Sequence, residues 1–256
     1  MSSAAEVPRK SDTAALSQTD VVIHAIKAMI TDGRLGPGSR LPVEKDLAAE
    51  CAVSRGSLRE GVRALAIMGV LETRQGDGTY VTSLDPNLLL APMGFMVDLQ
   101  SSANGTHLQA VRRVLETEAV GRAATRITDE QLAAASKILD DVEPLIVADR
   151  VLDHDAVMDA DIAFHRIISL ASGNPALHAL VDSLASRTVR VRMWRAISDR
   201  GAVRETQAEH RAILAELIAR DPDRARIRMA NHLLGVEEFM DSLPDGELEP
   251  DQSPPQ

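Results

Sequence analysis

Residues Leu41–Val81 read LPVEKDLAAECAVSRGSLREGVRALAIMGVLETRQGDGTYV, and this stretch decides the fold of the first part of the chain. Its apolar residues fall at helical spacing in two groups. Leu47, Ala48 and Cys51 form one short face, and Leu58, Val62, Leu65 and Ala66 form a second, with a break at Ala52-Val53-Ser54. Two helices joined by a tight turn, the second opening at Ser54, form a helix-turn-helix pattern. Val70–Thr73 and Thr79–Thr82 then read as short strands around the Gly76-Asp77-Gly78 tip, a hairpin whose loop exceeds two residues. A helix-turn-helix followed by a hairpin is a winged helix.

The second helix carries the chemistry. Arg55, Arg59 and Arg63 recur at i, i+4 and i+8, a spacing that stacks them along one stripe, while Leu58, Val62 and Leu65 point the other way. Each guanidinium is a planar fork able to take two acceptors on guanine or to grip phosphate oxygens. Gly56 would cost about 1 kcal/mol in a helix interior; near the helix start it costs less and permits close approach to a phosphate backbone. An arginine stripe alone is most often a solvated face. The turn before it and the hairpin after it favour nucleic acid.

With those residues in view, Leu41–Val81 resembles the DNA-binding domain of GntR-family bacterial transcription regulators, over residues 17 to 83. The resemblance implies that Lys45, Arg55, Arg59 and the wing glycine Gly78 meet the operator. Two departures stand out. Val43 occupies a position where a capping Ser is usual, at a cost of about 1 kcal/mol. Lys45 replaces the commoner Arg, exchanging a two-pronged contact for a point charge.

The 256 residues are enough for two domains with separate cores. Apolar residues make up 45%, yet there are only one Trp, one Tyr and three Phe, a balance that favours Ala/Leu/Val-rich helices over a β-sandwich. No apolar run reaches the roughly 18 residues of a membrane span, and MSSAAEVPRKSD lacks the apolar core of a signal peptide. The lone Cys51 excludes an intrachain disulfide and is read as a small core residue. A cytoplasmic protein is the expectation. The net charge of −10 is unevenly placed: residues 1 to 83 carry ten Lys/Arg and ten Asp/Glu, so the whole acidic excess lies beyond them. A neutral module with clustered arginines, joined to an acidic body, is compatible with DNA binding through one face.

Taken in order, residues 1–16 are polar and aperiodic, a disordered arm. A first helix follows, with Val21, Val22, Ala25, Ile26, Met29 and Ile30 on one side, ending by Gly33. Gly36-Pro37-Gly38 is a turn, and Pro42 suits the first turn of the next helix. Residues 84–105 form a linker in which NLLLAPMGFMVDLQ is a connecting helix. From 106 to 241 only helical signals occur, about six helices in an antiparallel bundle. Thr128 with Gln131, Asn174-Pro175 and Asp221-Pro222 mark helix starts. The tail, 242–256, is acidic, Pro-rich and expected to be disordered. The fold expectation is therefore mainly α, an N-terminal winged helix-turn-helix followed by an all-α antiparallel bundle.

In the second part, Asp161 and His165 lie one helical turn apart and share a face, so that a carboxylate and an imidazole can close on one ion. His210 and His232 lie on later helices. The motifs VRRVLE (111–116), DIAFH (161–165) and SGNP (172–175) are similar to the all-helical effector (FCD) domain of the FadR-type branch of the family. That resemblance implies a divalent ion held by Asp161, His165, His210 and His232. Three imidazoles and one carboxylate suit a transition metal, Zn first, with Ni or Mn as alternatives, and leave coordination open for a ligand. A small carboxylate or sugar acid could bind there with Arg112 fixing its charge; the equal alternative is an Arg112–Glu116 ion pair. Asn174 has a capping role and is carried as an effector-site candidate. The arginines at 187, 190, 192 and 195 read as a solvated face from which one could reach the pocket.

These readings predict a transcription regulator and no enzyme. The expected mode is a repressor that binds a near-palindromic double-stranded operator as a homodimer and is released by a small organic acid at the metal site. A structural or signalling metal is the second reading. A metal-dependent hydrolase is the third, and no general base or nucleophile is placed by the sequence to support it.

Overall fold

The computed structural model describes residues 16–90, 105–147, 150–151, 153–185, 189–198 and 201–242. The chain divides into two compact units, Met1–Leu84 and Asp85–Gln256. The arm expected over 1–16, the tail over 242–256 and most of the linker fall outside the described residues. Residues 86–90 are helical, consistent with the start of a connecting helix.

The N-terminal unit opens with α1 (Gln18–Thr31), started by a capping box in which Ser17 and Asp20 each accept from the other's backbone. Helix α2 (Glu44–Glu50) follows, then α3 (Arg55–Ile67), where Ser54 Oγ accepts from the Ser57 amide at 3.1 Å. Val43 is the N-cap of α2 and makes no side-chain cap bond, as its departure from the family pattern implies. Its carbonyl accepts from Asp46 and Leu47, so the helix opens after Val43 and Pro42 lies ahead of the first turn instead of within it. Ala52, at φ +52°, makes the reversal between α2 and α3. The wing is an antiparallel pair, β1 (Leu71–Arg74) and β2 (Gly78–Val81), registered Leu71↔Val81 through Arg74↔Gly78. The strand bounds lie one residue nearer the tip than the apolar runs, because Arg74 and Gly78 close the ladder around a three-residue tip with Gly76 at φ +76°. Arg40 bridges to Tyr80 and ties the segment before α2 to the wing.

Val22, Ile26, Leu47, Leu58, Leu65, Leu71 and Val81 form the core of this unit. Cys51 packs against it and is half-buried, and burial raises its thiol pKa. Helix α3 crosses α1 at Gly61, where a Cβ would stand 2.6 Å from Val22 Cγ1. Only glycine allows that approach.

From residue 105 onward the C-terminal unit has seven α-helices among its described residues: α4 (Gly105–Ala124), α5 (Asp129–Val142), α6 (His154–Ala171), α7 (Pro175–Ala185), α8 (Val189–Ser198), α9 (Ala202–Ile218) and α10 (Pro222–Ser242). The expectation was about six helices over this span, and the arginine-rich VRVRMWRAIS is one of the seven found, α8. A two-residue hairpin, β3 (Ile146–Val147) with β4 (Arg150–Val151), also interrupts the helical run. Thr128 with Gln131 forms the capping box of α5. Asp153 Oδ1 caps α6 and Asn174 Oδ1 caps α7, accepting from Leu177 at 3.2 Å. Asp221 Oδ1 accepts from the Asp223 and Arg224 amides at the start of α10. Helices α4 and α10 run alongside each other, joined by Arg113–Glu237 at 2.8 Å and by Gln109 to the Leu233 carbonyl. Phe164, Ile168, Ile213, Leu217, Met229 and Leu233 centre the core.

Gly61→Val should overpack the α1–α3 crossing and lower the stability of the N-terminal unit by about 1–3 kcal/mol. Calorimetry would show an earlier transition for that unit alone; equal displacement of both units' transitions would contradict the packing described.

Candidate functional site

On the winged helix, Arg55, Arg59 and Arg63 are all exposed on α3. Arg59 is held by Glu44 of α2: its Nε donates to both carboxylate oxygens, at 3.1 and 3.0 Å, and its Nη2 to one at 2.9 Å. This fork-to-carboxylate contact is solvent-screened and therefore weak, but it aims the guanidinium and leaves other donors available. One groove is lined by Arg40, Arg59, Arg63, Arg74 and Gly78, bringing the recognition helix and the wing to a common surface. Lys45 and Arg55 are exposed outside that lining. Gly78 sits at φ +145°, and a Cβ there would be 2.8 Å from Arg40 Nε; Arg40 in turn donates to the Asp77 carbonyl. Arg74 lies over the Tyr80 ring at 4.2 Å, and Tyr80 donates to Asp77 at 2.7 Å. Arg40 and Arg74 were not singled out from the sequence, since neither belongs to the helical stripe.

In the C-terminal unit, four buried side chains converge. Asp161 and His165 come from α6, His210 from α9 and His232 from α10, and one ligand atom of each lies within 4.8 Å of the others. Asp161 Oδ1 stands 3.6 Å from His210 Nε2 and 4.0 Å from His165 Nε2. The three imidazole centroids are 4.7–5.3 Å apart. Burial, then the neighbouring imidazoles, push the His210 and His232 pKa values well below the usual histidine range. Those rings are therefore neutral, the form a metal requires.

Carboxylates and arginines orient these ligands from behind. His165 Nδ1 is hydrogen-bonded to Glu116 of α4, which is also paired with Arg112. His232 Nδ1 is bonded to Glu209 at 2.7 Å. Each contact turns the ring's Nε2 away from its carboxylate, the arrangement in which metal-binding histidines are commonly held. Asp161 divides its oxygens, Oδ1 toward the histidines and Oδ2 toward Arg192 of α8. Burial opposes the Glu116 charge, but Arg112 and His165 outweigh it and hold the carboxyl well below its ordinary range.

The donor set fits a transition metal on an observation independent of any relative: His165 Nε2 and His210 Nε2 are buried without a hydrogen-bond partner. Buried polar atoms are nearly always partnered, and two such nitrogens beside a carboxylate define a cation site. An ion held by Asp161, His165, His210 and His232 would supply an electrophilic centre with positions open to an anionic ligand.

Asp161, His210 and His232 also border a cavity of about 40 Å³ walled by Arg192, Arg195 and aliphatic side chains. Arg112 does not line it; this arginine is fully buried and pairs with Glu116 behind His165. Asn174 is the α7 cap and does not line it either. Arg192 and Arg195 are 6% and 8% exposed, so at these positions the solvated-face reading is overturned: α8 turns them into the core. Arg187 and the Arg190 side chain lie outside the described residues. Glu209 was not anticipated, because its partner His232 is distant in sequence; Arg192 was among the four arginines of which one was expected to be able to reach the pocket.

A winged helix followed by an all-helical domain with a buried His/Asp cluster is the architecture of a DNA-binding regulator. Residues 18–81 match the model of the bacterial regulatory proteins, gntR family, and residues 107–235 that of the FCD domain. The chain belongs to the GntR family of transcription regulators. It is 32% identical over 217 residues to the HTH-type transcriptional regulator LutR of Bacillus subtilis (83% of this chain, 96% of that one). It is 30% identical over 224 residues to the HTH-type transcriptional repressor NanR of Klebsiella aerogenes (85% and 83%). Among solved structures, Streptococcus agalactiae GntR superposes with a TM-score of 0.61 at 26% identity, covering 86% of this chain and 99% of that one. These relatives are regulators and not enzymes. No helix among the described residues is long and apolar enough to cross a membrane.

Glu209→Ala should weaken metal affinity roughly 10- to 100-fold in a chelator-competition titration, with helical circular dichroism unchanged. Unaltered affinity would show that His232 is oriented by something else.

Proposed function

We propose that this chain is a repressor that binds a near-palindromic operator as a homodimer and is released by a small organic acid bound at a Zn, Ni or Mn centre. The observation that carries the effector half is the buried Asp161/His165/His210/His232 cluster bordering a cavity that also contains two buried arginines. Arg55, Arg59 and Lys45 read the DNA and Gly78 lets the wing approach it; Arg40 and Arg74 add charge beside the same groove. Repression is favoured by the relative named as a repressor. Val111 and Val114 on α4 and Ile227 and Leu234 on α10 are exposed, apolar area suited to a second copy, and a two-fold dimer matches two half-sites.

Arg112 supports His165 through Glu116 in this reading, so its effect on the acid is indirect. An effector acts only through differential affinity for the DNA-competent and released forms. A purely structural metal remains the second reading, favoured by the completeness of the supporting contacts around the histidines. The two differ in one respect: a structural site responds to metal and ignores acids.

Arg59→Ala should reduce operator affinity by at least about tenfold, the loss of one good base contact, while metal content stays at that of the wild type. Fluorescence anisotropy against the chain's own upstream region measures the first and elemental analysis the second. Unchanged operator affinity would remove Arg59 from the interface, and operator affinity indifferent to every carboxylate tried would leave only the structural metal.

A further inference from the structure

Much of the cavity lining is aliphatic. Val142, Val157, Met158 and Val203 are buried and form a cluster of their own, separate from the main core, with Ile146 and Ala196 packed against it. All six face the cavity. The polar part of the lining is Asp161, His210, His232, Arg192 and Arg195, with Thr206 and Gln207 beside them. Of the wall's amides, Gln207 is already engaged, its Nε2 donating to the Leu139 carbonyl at 2.7 Å and to Glu143 at 3.1 Å. Arg195, by contrast, has a buried Nε with no hydrogen-bond partner, and its Nη2 reaches only the exposed Glu205 at 3.5 Å.

From this asymmetry we infer that the effector is a short aliphatic monocarboxylate, its charged end taken by the cation site and Arg195 and its hydrocarbon end by the Val142/Val157/Met158/Val203 wall. The inference rests on the effector reading above and narrows it. Among the two acid classes the site could serve, it selects the aliphatic one and rejects the sugar acids. A polyhydroxylated chain would bury several hydroxyls against valine and methionine without partners, and each such hydroxyl is penalised. The size agrees: a cavity of about 40 Å³ holds on the order of three water molecules, room for a few carbons and no more. Each of the two arginines has a buried Nε without a hydrogen-bond partner; Arg195 is assigned to the acid because its carboxylate neighbour, Glu205, is exposed, whereas Arg192 pairs with buried Asp161 and donates to the Ala185 carbonyl.

The test is a calorimetric titration of the Zn-loaded full chain with acetate, propionate, butyrate and hexanoate, and with gluconate as the hydroxylated six-carbon acid. Affinity should rise about fourfold per methylene up to butyrate, the value of one buried methylene, and flatten or fall at hexanoate. Gluconate should bind at least tenfold more weakly than butyrate. Val203→Thr, nearly the same shape, should weaken butyrate several-fold and leave acetate unchanged. Arg195→Gln should weaken every acid while metal content stays the same. A flat series, or gluconate binding best and releasing the operator, would overturn the aliphatic assignment while leaving the effector reading intact. Failure of every acid to bind would overturn both.

Discussion

Burying three imidazoles and several charges in a helical core is costly unless each finds a partner, and the C-terminal unit is arranged around that constraint. Glu116 is held charged between Arg112 and His165. Glu209 takes His232, and Arg192 takes one oxygen of Asp161. Among the atoms left without a hydrogen-bond partner are two imidazole nitrogens of the cluster, His165 Nε2 and His210 Nε2. A cation satisfies both at once. The arrangement requires α4, α6, α8, α9 and α10 to meet at one place, so the His/Asp cluster and the fold of the bundle are a single problem.

The two units use the same ion-pair chemistry to opposite ends. Arg59 and Glu44 pair on the surface, where water screens them, and the arginine can exchange its partner for a base or phosphate. Arg112 and Glu116 pair with essentially no exposure, where removing either partner would strand a buried charge. The first contact leaves a guanidinium reachable at the surface; the second orients the His165 ring. The acidic excess of the chain lies with the second unit and its flanks, leaving the winged helix neutral overall with its arginines grouped beside one groove.

The winged helix was legible because its signals are local. Helical periodicity, the break at Ala52–Ser54 and the glycine tip all act over a few residues, and the differences were one residue in the strand bounds and the start of α2. In the bundle, only the Asp161–His165 pair could be read from spacing. His210 and His232 needed the family resemblance, since no local rule links them to α6. Arg192 and Arg195 were harder still: an arginine-rich segment reads as solvated, and only the packing of α8 reveals that two of its arginines face inward. Glu209 and the small hairpin at 146–151 left no local signal for the same reason.

The central claim is that one ion is held by three imidazoles and a carboxylate in the second unit. X-ray absorption spectroscopy of the metal-loaded full chain tests it most directly. The account predicts a nitrogen and oxygen shell with the outer-shell scattering of three imidazoles, reduced to two in His210→Ala. A sulfur ligand, or a spectrum unchanged by His210→Ala, would contradict it.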